Sequence, residues 1–304
     1  MSRRREAETP KDAAFRCGQI AVIGRPNVGK STLVNALVGA RISITSKRPQ
    51  TTRHRIRGIL TTRAAQLVFV DTPGFQTEHR TALNERMNRA VRESLNDVDA
   101  IVLVLEPSLT DGDRRALDLL PARVPVVVAI NKVDRLADKA RLLPLIAEIA
   151  ALRDFAGVVP VSAEKGWQLD QLVAELTKLM PAGPALFAED DLTDRDERFL
   201  AAEFVREKIF RLLGEEVPYA TTVSVDRFIQ EGSLRRIYAT VLVEKASQRA
   251  ILLGEGGKRM KDIASAARRD MERLFGGKVY LGTWVKVRKA WTDDARILKQ
   301  LGYE

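Results

Sequence analysis

The chain's 304 residues are enough for two domains, and its 45% hydrophobic content fits folded cores rather than disorder. No apolar run approaches the roughly 18–20 residues that a membrane-spanning helix needs. A net charge of +10 favours a polyanionic partner, nucleic acid or an anionic membrane surface, while two histidines and one cysteine give no basis for a zinc site or an internal disulfide and point to a reducing cytoplasm.

Residues 1–16 begin MSRRREAETPKD, without an apolar core, and are expected to form a flexible basic tail rather than a secretory signal. From 17 to 180, apolar runs alternate with amphipathic segments. GQIAVIG leads into GRPNVGKST, and KSTLVNALVG reads as a helix. AQLVFVDTPG, AIVLVLE, VPVVVAINKVD and GVVPVSA follow as strands, with helical patterns near 79–97, 111–121, 138–153 and 169–180. Such alternation predicts an α/β domain, a mostly parallel sheet with helices on both faces. Between Asp12 and Asp71 there is no acidic residue but ten Lys and Arg, either a solvated basic face or a nucleic-acid contact.

GRPNVGKS has P-loop spacing: Gly24, four residues, Gly29, Lys30, Ser31, between a strand and a helix. Gly24, Arg25, Pro26, Asn27, Val28, Gly29, Lys30, Ser31 and Thr32 are the expected cradle for nucleotide phosphates. Glycines let backbone N–H groups curl around phosphate oxygens and the helix N-terminus adds a favourable dipole. Lys30 suits the β- and γ-phosphates, and the Ser31 hydroxyl suits Mg²⁺. DTPG follows the next strand: Asp71 suits an outer-shell Mg²⁺ partner and the Gly74 N–H the γ-phosphate, with Thr72 and Pro73 beside them. NKVD ends a later strand. There Asp134 can accept from the N1–H and N2 amino group of guanine, a pair that adenine lacks, so GTP is the expected nucleotide. Asn131 supports the base edge, the Lys132 stem covers the ring, and backbone at Ser162 and Ala163 in VSAEKG suits guanine O6.

Between the P-loop and DTPG lies SKRPQTTRHRIRG, an expected switch segment. Thr51 and Thr52 are the candidates for completing the Mg²⁺ shell, and Thr52 is preferred because in related GTPases with one threonine it directly precedes the arginine. Arg53 and His54 are weaker catalytic candidates. After DTPG, where Ras-type enzymes place a water-orienting glutamine, stands Phe75, which cannot orient water. Asn27 either shapes the loop or holds a monovalent cation beside the phosphates. The expected catalytic set is therefore Lys30, Thr52, Gly74 and Asn27.

PAGPALFAEDDLTDRDE then opens a different texture, read as a linker over 181–195. The remainder, 196–304, reads helix (196–213), strand (217–229), strand (234–244), helix (247–253), helix (258–275), strand (278–288) and a last helix near 293–301. This αββααβ order excludes a duplicated nucleotide domain. GEGGKR is not a second P-loop: two residues separate Gly254 from Gly257, and Arg259 stands where a Mg²⁺-binding hydroxyl would be. Helix–GxxG–helix is the KH signature, a clamp for single-stranded nucleic acid. Gly254, Glu255, Gly256, Gly257, Lys258, Arg259, Lys261 and Arg268 are its expected RNA contacts, with Glu255 an unfavourable charge unless it points to solvent.

Over 18–304 the chain resembles the Era family of bacterial ribosome-assembly GTPases, on GRPNVGKSTL, QTTRHRIRG, DTPGF, NKVD, SAEKG, the KH order and the ending WVKVRKAW…LGY. The resemblance implies a P-loop GTPase domain followed by a type II KH domain. It also implies a GTP/GDP-controlled RNA binder that takes the 3′ end of 16S rRNA during maturation of the 30S ribosomal subunit. It further implies Mg²⁺ and K⁺ as cofactors, with K⁺ at Asn27, and a monomer in the cytoplasm with peripheral contact to the inner membrane. Glu255-Gly256 departs from the Asn-Lys that the family often has. A competing reading is a GTPase at the membrane surface whose C-terminal domain is a protein or lipid adaptor. No amphipathic anchor helix with large apolar residues favours it.

Overall fold

The computed structural model describes residues 14–46, 51–74, 81–95, 97–213 and 216–303. The first half builds β1 (Arg16–Ile23), α1 (Lys30–Val38), β2 (Ile56–Thr61), β3 (Ala65–Asp71), α2 (Ala82–Glu93), β4 (Ala100–Leu105), α3 (Asp111–Asp118), β5 (Val126–Ile130), α4 (Leu142–Ala150), β6 (Gly157–Pro160) and α5 (Leu169–Leu179). The sheet order is β2-β3-β1-β4-β5-β6. β1, β3, β4, β5 and β6 are parallel and β2 is antiparallel to β3. Successive strand residues point to opposite faces, so one apolar run feeds two cores. Ile20 and Val22 pack with Leu33 of α1 and Leu172 of α5, whereas Ala21 and Ile23 pack with Val91 of α2, Ala116 of α3 and Ile149 of α4.

β2 corrects the sequence reading, which put residues 56–58 in the switch segment and gave 59–61 no element. IRGILT has two buried isoleucines, Ile56 and Ile59, but basic neighbours hide its period. Gly58 fixes how closely it meets α1. A Cβ there would stand 2.8 Å from the side chains of Val34 and Ile42. The stretch 181–195 is not a dangling linker. Leu192 O accepts from Ile59 N at 3.0 Å, Thr193 bridges Gly58 antiparallel, and Gln66 Oε1 accepts from Leu186 N and Phe187 N at 2.8 and 2.9 Å. These contacts satisfy backbone groups along an otherwise open sheet edge.

The second half runs α6 (Glu197–Leu212), β7 (Thr221–Glu231), β8 (Leu234–Val243), α7 (Ala246–Leu253), α8 (Lys258–Phe275), β9 (Lys278–Val287) and α9 (Ala295–Gln300). This is the expected αββααβ order plus a last helix. Its sheet is β7-β8-β9, with β7/β8 antiparallel and β8/β9 parallel. The Asp196 side chain caps α6 by accepting from Phe199 N at 2.8 Å. Ile237, Ala239 and Val241 of β8 and Ile263, Ala267 and Met271 of α8 form a core separate from the first. A small fourth cluster joins the halves. Trp291, Leu298 and Tyr303 of the C-terminal segment bury against Leu83 and Met87 of α2. Among the described residues no helix is long and apolar enough to cross a membrane.

Candidate functional site: a nucleotide pocket and a GxxG loop

The loop after β1 turns at Gly24, Asn27 and Gly29, all at positive φ. A Cβ on Gly24 would meet the Val104 carbonyl at 2.4 Å and one on Gly29 the Asn131 amide at 2.3 Å, so only glycine fits. α1 starts at Lys30 with Gly29 as N-cap and no side-chain cap, which leaves its first N–H groups to the loop concavity. Lys30 is buried, and its Nζ donates to the carbonyls of Gly24 and Arg25 at 2.9 and 3.1 Å. Burial pushes its pKa down to about 8, against the attraction of Asp71 and helped by the charge of Arg25.

Three oxygen groups converge beside Lys30. The hydroxyls of Ser31 and Thr52 share a hydrogen bond of 2.8 Å, and Thr52 Oγ1 lies 3.5 Å from Asp71 Oδ2. Asp71 is fully buried and, among the described residues, its Oδ1 has no hydrogen-bond partner. Burial raises its pKa, opposed by Ser31, Lys30, Ser43 and Thr52. A buried carboxylate with an orphaned oxygen, next to two hydroxyls, fits a hard divalent cation with oxygen ligands such as Mg²⁺. Of the two threonine candidates, Thr52 is the one brought to Ser31.

On the base side, Asn131 Nδ2 donates to Val28 O at 2.9 Å and its Oδ1 accepts from Ala163 N at 3.0 Å, tying three loops together. Asp134 Oδ1 accepts from Ser162 Oγ at 2.6 Å. Lys132 Nζ donates to Asn27 O at 2.6 Å and also pairs with Glu106. A cavity of about 1120 Å³ opens over this assembly, lined by Pro26, Asn27, Gly29, Lys30, Ser31, Thr32, Thr52, Thr72, Gly74 and Lys132, among others. Asn27 is exposed there. Gly74 lies against the P-loop, where a Cβ would stand 3.1 Å from Pro26 Cγ.

Several expected contacts are committed elsewhere. Arg25 pairs with Glu106 and Asp113, and the Val28 side chain is buried in the core, so these two offer the pocket only backbone. The Thr72 hydroxyl donates to Val22 O at 2.9 Å. The Arg53 guanidinium donates to the carbonyls of Thr221, Pro218 and Tyr219, at 2.9, 3.2 and 2.8 Å. His54 stacks on Tyr303 at 4.4 Å and meets Phe199 edge-on. Burial lowers its pKa to about 4, and Arg206, Arg195 and Arg53 add to that against Glu203. Arg53 and His54 are thus engaged in contacts with the second half of the chain. Phe75 lies outside the described residues.

Sequence reasoning missed Glu106. It stands just past β4 on the ligand edge of the sheet, and that position was its available signal. Burial would raise its pKa, but Lys132 and Arg25 hold it low. Also missed was α6. Arg206 donates to Thr51 O, Glu207 accepts from Thr45 N at 3.1 Å, and Arg211 donates to Thr45 O at 3.1 Å. Phe210 and Arg211 of this helix line the nucleotide cavity.

In the GxxG loop, α7 ends at Leu253 with Gly254 as its C-cap, a 3₁₀ turn spans Glu255–Gly257 and α8 starts at Lys258. Gly256 and Gly257 have φ of 55° and 77°, a left-handed pair that favours glycine. Glu255, Lys258 and Lys261 are exposed. Arg259 instead donates to Ile251 O at the end of α7, and Arg268 pairs with Glu272 at 2.7 Å.

A phosphate-cradling loop, a guanine-matched edge and a hydroxyl–carboxylate cluster on an α/β sheet, followed by a GxxG domain, define a P-loop GTPase joined to a KH domain. Two family descriptions match accordingly: 50S ribosome-binding GTPase over 19–132 and KH domain over 216–292. The chain belongs to the Era family of GTPases. It is 53% identical to GTPase Era of Nitrosomonas eutropha over 293 residues, 96% of this chain and 99% of that one. It is 57% identical to GTPase Era of Xanthomonas oryzae pv. oryzae over 291 residues, covering 95% and 97%. Two solved structures superpose with a TM-score of 0.91 at 35% identity, covering 95% of this chain and 99% of theirs. One is a variant of Aquifex aeolicus Era bound to GDP and aluminium fluoride. The other is Era with MgGDPNP and nucleotides 1506–1542 of 16S ribosomal RNA.

Proposed function

We propose that this GTPase is a GTP-regulated binder of the 3′ end of 16S rRNA that assists maturation of the 30S subunit. One observation supports the regulation: Thr45 and Thr51, the latter next to the Thr52 that meets Ser31 and Asp71, are held by Glu207, Arg211 and Arg206 of the KH domain. Nucleotide and RNA modules thus share one structural element. The RNA fragment bound by the related Era supports the choice of target.

In this reading the P-loop N–H groups and Lys30 hold the β- and γ-phosphates, and the Gly74 N–H faces the γ-phosphate. Asp134 selects guanine, with Asn131 and Ala163 fixing its loop. Ser31 and Thr52, with Asp71 behind them, hold Mg²⁺, which neutralises phosphate charge when bound. The exposed Asn27 beside Lys30 offers its side-chain carbonyl to K⁺. Replacing Na⁺ with K⁺ at constant ionic strength should raise single-turnover hydrolysis, since a well-placed charge is worth about 10²–10³ in rate. Asn27→Ala should lose most of that stimulation with little change in GTP affinity. Equal rates in the two salts would remove the cation from this proposal.

At the clamp, Lys258 and Lys261 neutralise phosphates. Replacing both with alanine should weaken binding of a 16S 3′-end oligonucleotide by the full chain. It should also flatten log K against log salt by about 0.7 per lysine. Unchanged affinity and slope would move the RNA site away from the GxxG loop.

A further inference from the structure

The sheet β7-β8-β9 has a second face. Residues of one parity, Ile237, Ala239 and Val241 with Val279, Leu281 and Val285, turn to the core under α6 and α8. The other parity carries Arg236, Tyr238 and Thr240 on β8, paired across the ladder with Tyr280, Gly282 and Trp284 on β9. Tyr280 and Trp284 are 48% and 51% exposed. Two aromatic rings half in water on one small sheet are costly unless something covers them.

The chemistry of this face is specific. Tyr238 lies 5.8 Å from Tyr280 and 6.0 Å from Trp284, the latter nearly parallel at 28°. Gly282 makes room, since a Cβ there would meet Tyr238 at 3.1 Å and Trp284 at 3.4 Å. Guanidinium groups flank the row, Arg227 over Tyr238 and Arg236 over Tyr280. Lys286 follows on the same parity. The acidic side chains nearby are engaged: Asp226 accepts from Thr240, and Glu231 pairs with Arg236. A flat aromatic row bordered by cations suits the π-faces and phosphates of unpaired nucleotides.

We propose that the outer face of β7-β8-β9 is a second RNA contact, on which unpaired bases outside the GxxG clamp stack against Tyr238, Tyr280 and Trp284. This rests on the RNA reading of the KH domain. It addresses what that reading leaves over, because a GxxG loop clamps about four nucleotides, whereas the RNA in the related complex runs from 1506 to 1542.

The test uses the full chain with a GTP analogue and two labelled RNAs, the 1506–1542 segment and a short oligonucleotide of its 3′ end. Stacking is worth about 1–3 kcal/mol per base. The combined change Tyr280→Ala with Trp284→Ala should therefore weaken binding of the long RNA at least ~10-fold and leave the short one within ~2-fold. Tyr280→Phe with Trp284→Phe, which keeps the π-faces, should restore the long RNA. Unchanged affinity for the long RNA would overturn the proposal, as would equal losses on both RNAs. A variant that binds both RNAs normally but no longer co-sediments with small-subunit particles would assign the face to a ribosomal protein and overturn it too. Failure of the unmodified chain to bind either RNA would instead sink the RNA reading itself.

Discussion

Lys30→Ala is expected to weaken GTP binding by about 10²–10³-fold while both domains stay folded. The ammonium is the charged group at the centre of the loop, buried and held by two P-loop carbonyls. Truncating a buried, hydrogen-bonded partner of a charged group costs about 2–5 kcal/mol. The pH dependence gives a second signature. In the nucleotide-free protein Lys30 titrates near 8 because burial disfavours its charge. Phosphates favour the ammonium, so its pKa is higher in the complex. Affinity is then fully present below about pH 8 and falls as pH rises through and beyond it, with a proton taken up on binding. Calorimetry between pH 7 and 9, in buffers of different ionisation enthalpy, reads both effects. Lys30→Ala should lose the proton uptake along with the affinity. An unmodified chain with flat affinity across this window would show that Lys30 does not carry the charge facing the phosphates.

Arg206→Ala is expected to cost about 3–5 kcal/mol of stability, the typical penalty for breaking a buried ion pair from one side. Arg206 is 1% exposed and Glu203 is 4% exposed, and two bonds of 2.7 Å join them. Burial alone would lower the pKa of Arg206, but Glu203 outweighs it and raises the value. Burial would likewise raise Glu203, and Arg206 holds it low. The same guanidinium donates to Thr51 O. Its loss should therefore loosen the neighbouring Thr52 and lower affinity for a GTP analogue more than for GDP. Arg206→Lys should rescue little, because an ammonium cannot reproduce the bidentate fork. Urea unfolding and paired nucleotide titrations are the measurements. Equal losses for both nucleotides would uncouple this helix from the Thr52 segment.

Much of the site is legible in order along the chain. Gly24, Gly29, Lys30 and Ser31 have to be close in sequence because one loop must wrap one phosphate group. Asp71, Asn131 and Asp134 follow apolar strands, which places them at one sheet edge without any knowledge of packing. The αββααβ order is equally readable, since periods of two and 3.6 are local properties. β2 escaped because a six-residue edge strand, with Arg57 between its buried Ile56 and Gly58, shows little alternation.

The sequence by itself determined the nucleotide chemistry, the two-domain order and the GxxG loop, because these rest on short-range spacing and backbone requirements. Tertiary structure alone decided that Thr52 meets Ser31, that Arg53 and His54 contact the second half of the chain, and that residues 181–195 line a sheet edge. It also decided that Trp291 and Tyr303 seat on α2, and that three aromatic rings share one open face. The Arg206–Thr51 contact spans 155 positions. Such a pair is joined by the packing of α6 against the first domain, and a contact of that range leaves no periodic trace in either stretch of sequence.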